Sequence, residues 1–227
     1  IVRASRGDTT PPLYYLLLGA CERALGISEA AARLPSVAAS SLTAAALFLL
    51  ARRWLGGAGA WLASALFFLS DVNLRYAREA RPYALAALLC VLSFALFLRA
   101  LERPRWSTFA ALAAVNLAML LTHYATAFAV VAEGAALLWP WRGLAVVRGF
   151  LASQVPVALA FLGWVAELLL AGRHHHMDWL QPAGGMRVNA VLNRLAGGRP
   201  GGLAFVALAT GAAATLMLAR SRGERAP

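Results

Sequence analysis

The sequence predicts an all-α protein: a polytopic transmembrane helical bundle of about seven spans, with one further helix lying in the membrane interface. Three observations carry that prediction. Apolar residues make up 61% of the 227-residue chain and charged residues 14%, against roughly 45–50% and about 25% in soluble domains. The apolar residues fall in successive runs, and the arginines sit at the ends of those runs, as expected where charge is expensive inside a bilayer. The turns between runs are short and marked by Gly, Pro and Arg,.

Residues 1–35 read as an outer loop followed by the interfacial helix. Asp8-Thr9-Thr10-Pro11-Pro12 is a loop whose prolines suit the first turn of a helix,. The helix body, Leu13 to Leu25, is about 13 residues or roughly 20 Å long, short of a ~30 Å hydrocarbon core. Tyr14, Tyr15, Glu22 and Arg23 supply polar positions that suit an amphipathic interfacial helix,; a truncated span is the alternative. Gly26-Ile27-Ser28-Glu29 breaks it, and Ser28 can cap the next helix,.

Residues 36–140 are expected to hold the core spans. The first covers 36–52 and ends at Arg52 and Arg53; Gly56-Gly57 turn the chain into a second that runs to about Ser70,. A third, Ala84 to Leu98, ends at Arg99, Arg103 and Arg105. A fourth runs from about Ser107 to Leu121, before Thr122-His123-Tyr124, and a fifth reaches Trp139. Trp139-Pro140-Trp141-Arg142 reads as an interface anchor, and a sixth span covers roughly Phe150 to Leu170,. Residues 171–201 form one long outer loop, and a last span covers about Leu203 to Leu218. The whole of 1–227 reads as a single transmembrane domain. It begins at Ile1 with neither Met nor a signal-peptide pattern, which predicts a fragment of a longer chain,.

Basic residues number 21, all arginine, against 10 acidic, for a net charge of +11. They form no continuous basic face, so nucleic acid is not an expected partner, and anionic lipid or phosphate is. Cys21 and Cys90 both lie in apolar stretches, which argues against a disulfide between them,. Alternating the spans puts Arg52/Arg53, Arg99/Arg103/Arg105, Arg142/Arg148 and Arg220/Arg222/Arg225 on one side. The turns there are short and net positive, the signature of a cytoplasmic face. Residues 74–83, His123 and the long loop then face outward.

The decapeptide Leu74-Arg75-Tyr76-Ala77-Arg78-Glu79-Ala80-Arg81-Pro82-Tyr83 is where charge and aromatic hydroxyls concentrate between two apolar runs. Charged groups beside membrane spans are a functional-site hypothesis by default; the competing reading is a solvated turn whose arginines snorkel. Arginine forks match phosphate oxygens, so Arg75, Arg78 and Arg81 suit a lipid-linked phosphate leaving group. Glu79 either pairs with the arginines or acts directly. Asp8, Glu79 and His123 all fall at the outer ends of apolar segments. His123 is either a hydrogen-bonded interface histidine or a base. Glu133 and Glu167 are expected to face the bundle and pair there, with Arg33 the nearest plausible sort of partner. His174-His175-His176 with Asp178 is a weak metal pattern, because three consecutive residues cannot all face one ion from regular structure. No site metal is assigned, and a divalent metal is the one cofactor for which the reading leaves room. No phosphate-binding glycine loop, serine elbow or Cys-x-x-Cys is present,. An outward-facing enzyme has no ready nucleotide, which favours a lipid-carried donor.

The runs Asp8-Thr9-Thr10-Pro11-Pro12-Leu13-Tyr14-Tyr15-Leu16-Leu17-Leu18, Ser28-Glu29 through Arg33-Leu34-Pro35-Ser36, Tyr76-Ala77-Arg78-Glu79-Ala80-Arg81-Pro82-Tyr83-Ala84 and Thr122-His123-Tyr124 resemble those of polytopic membrane glycosyltransferases of family 39 type. These have the C-type glycosyltransferase fold and include protein O-mannosyltransferases and the 4-amino-4-deoxy-L-arabinose transferases of lipid A. The likeness covers roughly residues 8–140 in order and spacing. It implies a polyprenyl-phosphate sugar donor and a lipid, glycan or protein acceptor. It also implies inverting transfer at the periplasmic face of the cell inner membrane, with an acidic residue as general base. The family's proposed base is an Asp in the first outer loop, and this chain opens inside what would be that loop. Asp8 matches instead the Asp before the Pro-Pro-Leu-Tyr-Tyr run, which implies a supporting role.

Carried over by position, Tyr76, Arg78, Glu79, Arg81 and Tyr83 line the donor cavity, with the arginines on the phosphate. His123 and Tyr124 close its far wall, and the helix bearing Tyr14 and Tyr15 guides the acceptor or the donor's lipid tail. A transporter or flippase of lipid-linked sugar, or a non-catalytic assembly subunit, are the alternatives from other classes. The lack of an internal repeat disfavours transport.

Overall fold

Helices begin where the prolines and Ser28 predict. The computed structural model describes residues 11–138 and 143–170, with side chains to residue 166. Pro12 precedes α1, Leu13–Leu25, and Gly26 ends it at φ 82°. The Ser28 side chain then accepts the Ala31 N–H at 3.2 Å and caps α2, Glu29–Phe68.

The segments expected as the first two spans both lie within α2, the second only residues 57–68 or about 18 Å long, and the chain reverses between them at Gly56,. That residue has φ 68° and ψ −175°, a conformation open essentially to glycine alone. The return arm packs antiparallel to the outgoing one: the Phe48 and Trp61 rings stand 4.8 Å apart, and Ser64 Oγ donates to the Ala44 carbonyl at 2.7 Å. The second segment ends close to the expected Ser70. Its helix stops at Phe68, and Ser70 caps a short helix α3, Asp71–Ala77, by accepting the Asn73 N–H at 3.2 Å. The decapeptide is therefore not one unit. Its first residues finish α3, residues 78–82 turn, and Tyr83 opens α4, Tyr83–Glu102.

Beyond α4 come α5, Trp106–Leu120, a 3₁₀ turn at Tyr124–Thr126, α6, Ala127–Ala136, and α7, Leu144–Leu170. The fifth apolar run is thus a 3₁₀ turn and a short helix. The sixth begins at Leu144 rather than Phe150, and Phe150 lies inside the helix, packed edge-on to Phe97 at 5.9 Å. Among the described residues three helices are long and apolar enough to cross a membrane: α2, α4 and Leu144–Ala166 of α7. Trp106–Leu120 and Tyr124–Ala136 are apolar but shorter. The described chain is an all-helical membrane bundle. The Trp139-to-Arg142 anchor, the 171–201 loop and the expected last span lie outside the described residues.

Small residues let the helices meet closely, as lipid-embedded packing favours. Ala39 of α2 packs with Ala84 and Leu88 of α4. At the opposite end Phe97, Ala100, Phe109, Leu112, Leu137, Val146 and Phe150 form the main apolar cluster. There Gly149 touches Phe109 so tightly that a Cβ would come within 2.3 Å of its ring. Cys21 and Cys90 are free thiols, as expected.

The reversal at Gly56 yields a direct test. A Cβ there meets nothing within 4 Å, so Gly56→Ala carries only backbone strain and should cost about 1–3 kcal/mol. Neighbouring Gly57, equally open but without positive φ, should accept Ala with no loss of stability. Thermal unfolding of the two variants in detergent makes the comparison, and equal melting points would refute the strained turn.

Candidate functional site

Four segments meet at one end of the bundle. Leu13 N–H of α1 donates to the Leu121 carbonyl after α5 at 2.9 Å. Tyr14, expected among the polar positions of an exposed face, is instead fully buried against α2. Its hydroxyl lies 2.7 Å from Ser36 Oγ, and Ser36 Oγ donates to the Arg81 carbonyl at 3.3 Å. With the Ser36 proton directed to Arg81, Tyr14 O–H is the donor to Ser36. Burial raises the Tyr14 pKa, which keeps that proton in place,. One turn further along α2, Ser40 Oγ donates to Asn73 Oδ1 at 2.8 Å, and Asn73 Nδ2 donates to the Phe68 carbonyl at 3.1 Å. Two buried serines on α2 thus hold the chain at Asn73, just ahead of the decapeptide, and at Arg81 near its end.

The turn itself is closed by Arg78 N–H to the Arg75 carbonyl at 3.1 Å and Arg81 N–H to the Glu79 carbonyl at 2.8 Å. Glu79 lies between two guanidinium groups, its Oε1 3.6 Å from Arg75 Nε and its Oε2 3.7 Å from Arg81 Nε. Arg78 has no ionic partner among the described residues. Arg78, Glu79, Ala80 and Arg81 face Glu29, Ala32 and Arg33 of α2 across an open cleft of about 570 Å³. Arg33 is held by Glu29 at 2.5 Å. The walls carry three arginines against two glutamates, a geometry suited to an anion with several oxygens.

The aromatic residues expected to line the cavity pack among themselves and on other elements. Tyr76 and Tyr83 pack with ring centres 4.6 Å apart, and Tyr83 meets the His123 ring at 5.4 Å. Tyr124 packs on Phe161 of α7 at 6.2 Å, and Tyr15 stands edge-on to Tyr14 at 5.9 Å. None of the five tyrosines or His123 is among the residues lining the cleft. His123 Nδ1 accepts the Ala125 N–H at 3.1 Å and caps the 3₁₀ turn, and burial pulls its pKa below the ordinary value. Asp8, with His174-His175-His176 and Asp178, lies outside the described residues. No group of three metal-ligating side chains occurs among the described ones.

Two pairings differ from those the sequence suggests. Arg33, the plausible partner of a buried glutamate, pairs instead with Glu29, four residues back on the exposed side of the same helix. Glu133 finds its partners in Ser93 and Asn116. The i,i+4 spacing of Glu29 and Arg33 is the sequence signal for the first.

The model of the dolichyl-phosphate-mannose-protein mannosyltransferase family matches residues 9–165 of this chain. The chain belongs to that family. It is therefore of membrane glycosyltransferase type, and the match takes in every element that builds the cleft. No match emerges among curated proteins or among solved structures.

Two outcomes are expected of this family member. Ser36→Ala removes the acceptor of Tyr14 and the donor to Arg81, and should lower stability by about 1–3 kcal/mol. Ser36→Thr, which keeps the hydroxyl, should retain more of it; chemical denaturation in detergent reads both. His123 favours its neutral form in the folded state, so its stabilising contribution is present above the ordinary histidine pKa of about 6.5 and falls away as pH drops below it. His123→Gln should flatten that part of the pH–stability curve, and an unchanged acid limb would exclude His123 as its source.

Proposed function

We propose that the chain transfers a sugar from a polyprenyl-phosphate carrier to a lipid, glycan or protein acceptor, at the extracytoplasmic face of the cell inner membrane. The observation that carries this reading is the arginine-walled cleft, with Arg78 free of any ion pair among the described residues and Arg81 held at its backbone by Ser36. In the transfer, the acceptor oxygen attacks the anomeric carbon and the bond to phosphate oxygen breaks. The polyprenyl phosphate leaves with that electron pair, and the acceptor's proton passes to a base. Attack opposite the leaving group inverts the sugar. Arg78 and Arg81, with Arg75 behind them, stabilise the charge that grows on the departing phosphate.

Glu79 fits a positioning role in this scheme. Both its oxygens already face guanidinium groups, so it orients Arg75 and Arg81. Proton removal falls to another carboxylate, with Asp8 in a supporting role.

The unequal charge of the two ends supports the outward placement of the cleft. Its end carries Arg23, Arg33, Arg75, Arg78 and Arg81 against Glu22, Glu29, Asp71 and Glu79. The other end carries Arg52, Arg53, Arg99, Arg103, Arg105 and Arg148 against Glu102, with Arg53 Nη2 2.5 Å from that carboxylate. An excess of arginine in short turns marks the cytoplasmic side.

Transfer of radiolabelled sugar from polyprenyl-phosphate donors, in membranes holding the full-length protein, tests the proposal. Arg81→Ala should lose a charge-assisted contact worth about 1.5–3 kcal/mol, a roughly 10- to 150-fold drop in kcat/KM. Glu79→Gln should lose less, since it loosens the arginines without removing them. Wild-type activity absent across a donor panel would sink the reading.

A further inference from the structure

Among the described residues, one buried acid has no part in the proposed chemistry. Glu133 of α6 is buried, and no arginine or histidine pairs with it among the described residues. Around it, Ser93 Oγ of α4 lies 2.6 Å from Glu133 Oε1 and 2.5 Å from Asn116 Oδ1 of α5. Asn116 Nδ2 lies 3.1 Å from Glu133 Oε2 and 3.1 Å from Gln154 Oε1 of α7. Ser93, Asn116 and Glu133 thus close a three-membered ring, and Gln154 extends it to a fourth helix.

Counting protons decides the state of the ring. It has three contacts, and each needs one hydrogen. Ser93 owns one hydroxyl hydrogen. Asn116 turns one amide atom toward Ser93 and the other toward Glu133, so it brings an N–H to only one of these two contacts. That holds whichever way the amide is turned, so the count does not depend on telling its O from its N. Two hydrogens cannot fill three contacts, and the third belongs to Glu133.

We infer that Glu133 is a neutral carboxylic acid whose own proton completes a hydrogen-bond ring with Ser93 and Asn116, joining α4, α5 and α6 inside the bundle. With the amide as placed, Glu133 O–H donates to Ser93, Ser93 to the Asn116 carbonyl, and Asn116 N–H back to Glu133. The second Asn116 N–H serves Gln154. Every polar atom of the ring is then satisfied without a countercharge, which is how an acid can sit at low cost in an apolar interior. Cys90 on α4 is the other titratable group near Glu133, and it brings no positive charge.

The test combines infrared spectroscopy with substitution in the full-length protein. At neutral pH the wild type should show the carbonyl stretch of a protonated carboxylic acid, shifted by deuterium exchange and lost in Glu133→Gln. In Ser93→Ala the band should move to higher frequency as its hydrogen bond is removed. Gln supplies an N–H where the acid supplies O–H, so Glu133→Gln should melt close to the wild type, while Glu133→Ala should lose several degrees. A wild type without the band, or a band unmoved in Ser93→Ala, would overturn the inference. So would Glu133→Gln as unstable as Glu133→Ala.

Discussion

The backbone carbonyl of Arg81 must be satisfied at a place where four segments crowd together, and Ser36 is the group that meets this need. Much of the candidate site depends on that contact. Arg81 lies in a turn just before Pro82, so its carbonyl is not taken up by the helix that starts at Tyr83, and the Ser36 hydroxyl supplies the hydrogen instead. Ser36 is presented one residue after Pro35, inside α2. The Tyr14 hydroxyl loads Ser36 from the other side. The interfacial helix, the first long helix and the arginine turn are thereby joined through three polar atoms. The side chain of Arg81 is aimed because its backbone is held.

The same constraint recurs along the chain. A hydroxyl or amide carried into lipid must find its partner inside the protein. Thr43 and Thr122 return theirs to carbonyls four residues back in the chain, at Ala39 and Ala118. Ser64, Ser40 and Ser93 spend theirs between segments, which turns local satisfaction into tertiary attachment. Hydrophobic burial between helices supplies little in lipid, because the tails are as apolar as leucine. Small residues at Ala39, Ala84 and Gly149 and the interhelical hydroxyl bonds therefore largely specify which helices meet.

The helical class is legible in the sequence for this reason: composition and the placement of arginine follow from solvation alone. The start of α1 after Pro12, the cap at Ser28 and the reversal at Gly56 are also readable, because each is local chemistry within a few residues. Two features at the ends of apolar runs are not legible. Ser70 looks like the end of an apolar run, yet its side chain captures the Asn73 N–H and starts a new helix. Phe150 looks like the start of a span, yet its helix begins earlier, at Leu144. At the site, the cluster Arg75 to Arg81 is visible as a density of charge. That Arg33 stands across from it is not, since it depends on how α2 is placed against residues 78–81, some 45 positions away along the chain, as Ser36 is from Arg81. Tyr14 likewise reads as an amphipathic residue until its partner on α2 is known.

The two ends of the bundle differ in a way that explains where a site can form. At the Arg53–Glu102 end, the helices close on Phe97, Phe109, Leu112 and Phe150, and Gly149 admits the Phe109 ring at its Cα. Side chains interlock there at close range. At the other end the second arm of α2 stops at Phe68, about 18 Å after its turn at a rise of about 1.5 Å per residue, well short of a ~30 Å hydrocarbon core. The chain then spends α3 and the arginine turn before it re-enters as α4. α4 is 20 residues or about 30 Å long and ends at Glu102, the partner of Arg53,. The arginine turn at its start therefore lies about a full hydrocarbon thickness from that end. The residues that complete the path from Phe68 are α3 and the turn, and both are tied to α2, by Ser40 and by Ser36. The charged cleft forms where polar, hydrogen-bonded residues make up the distance that the apolar arm does not cover.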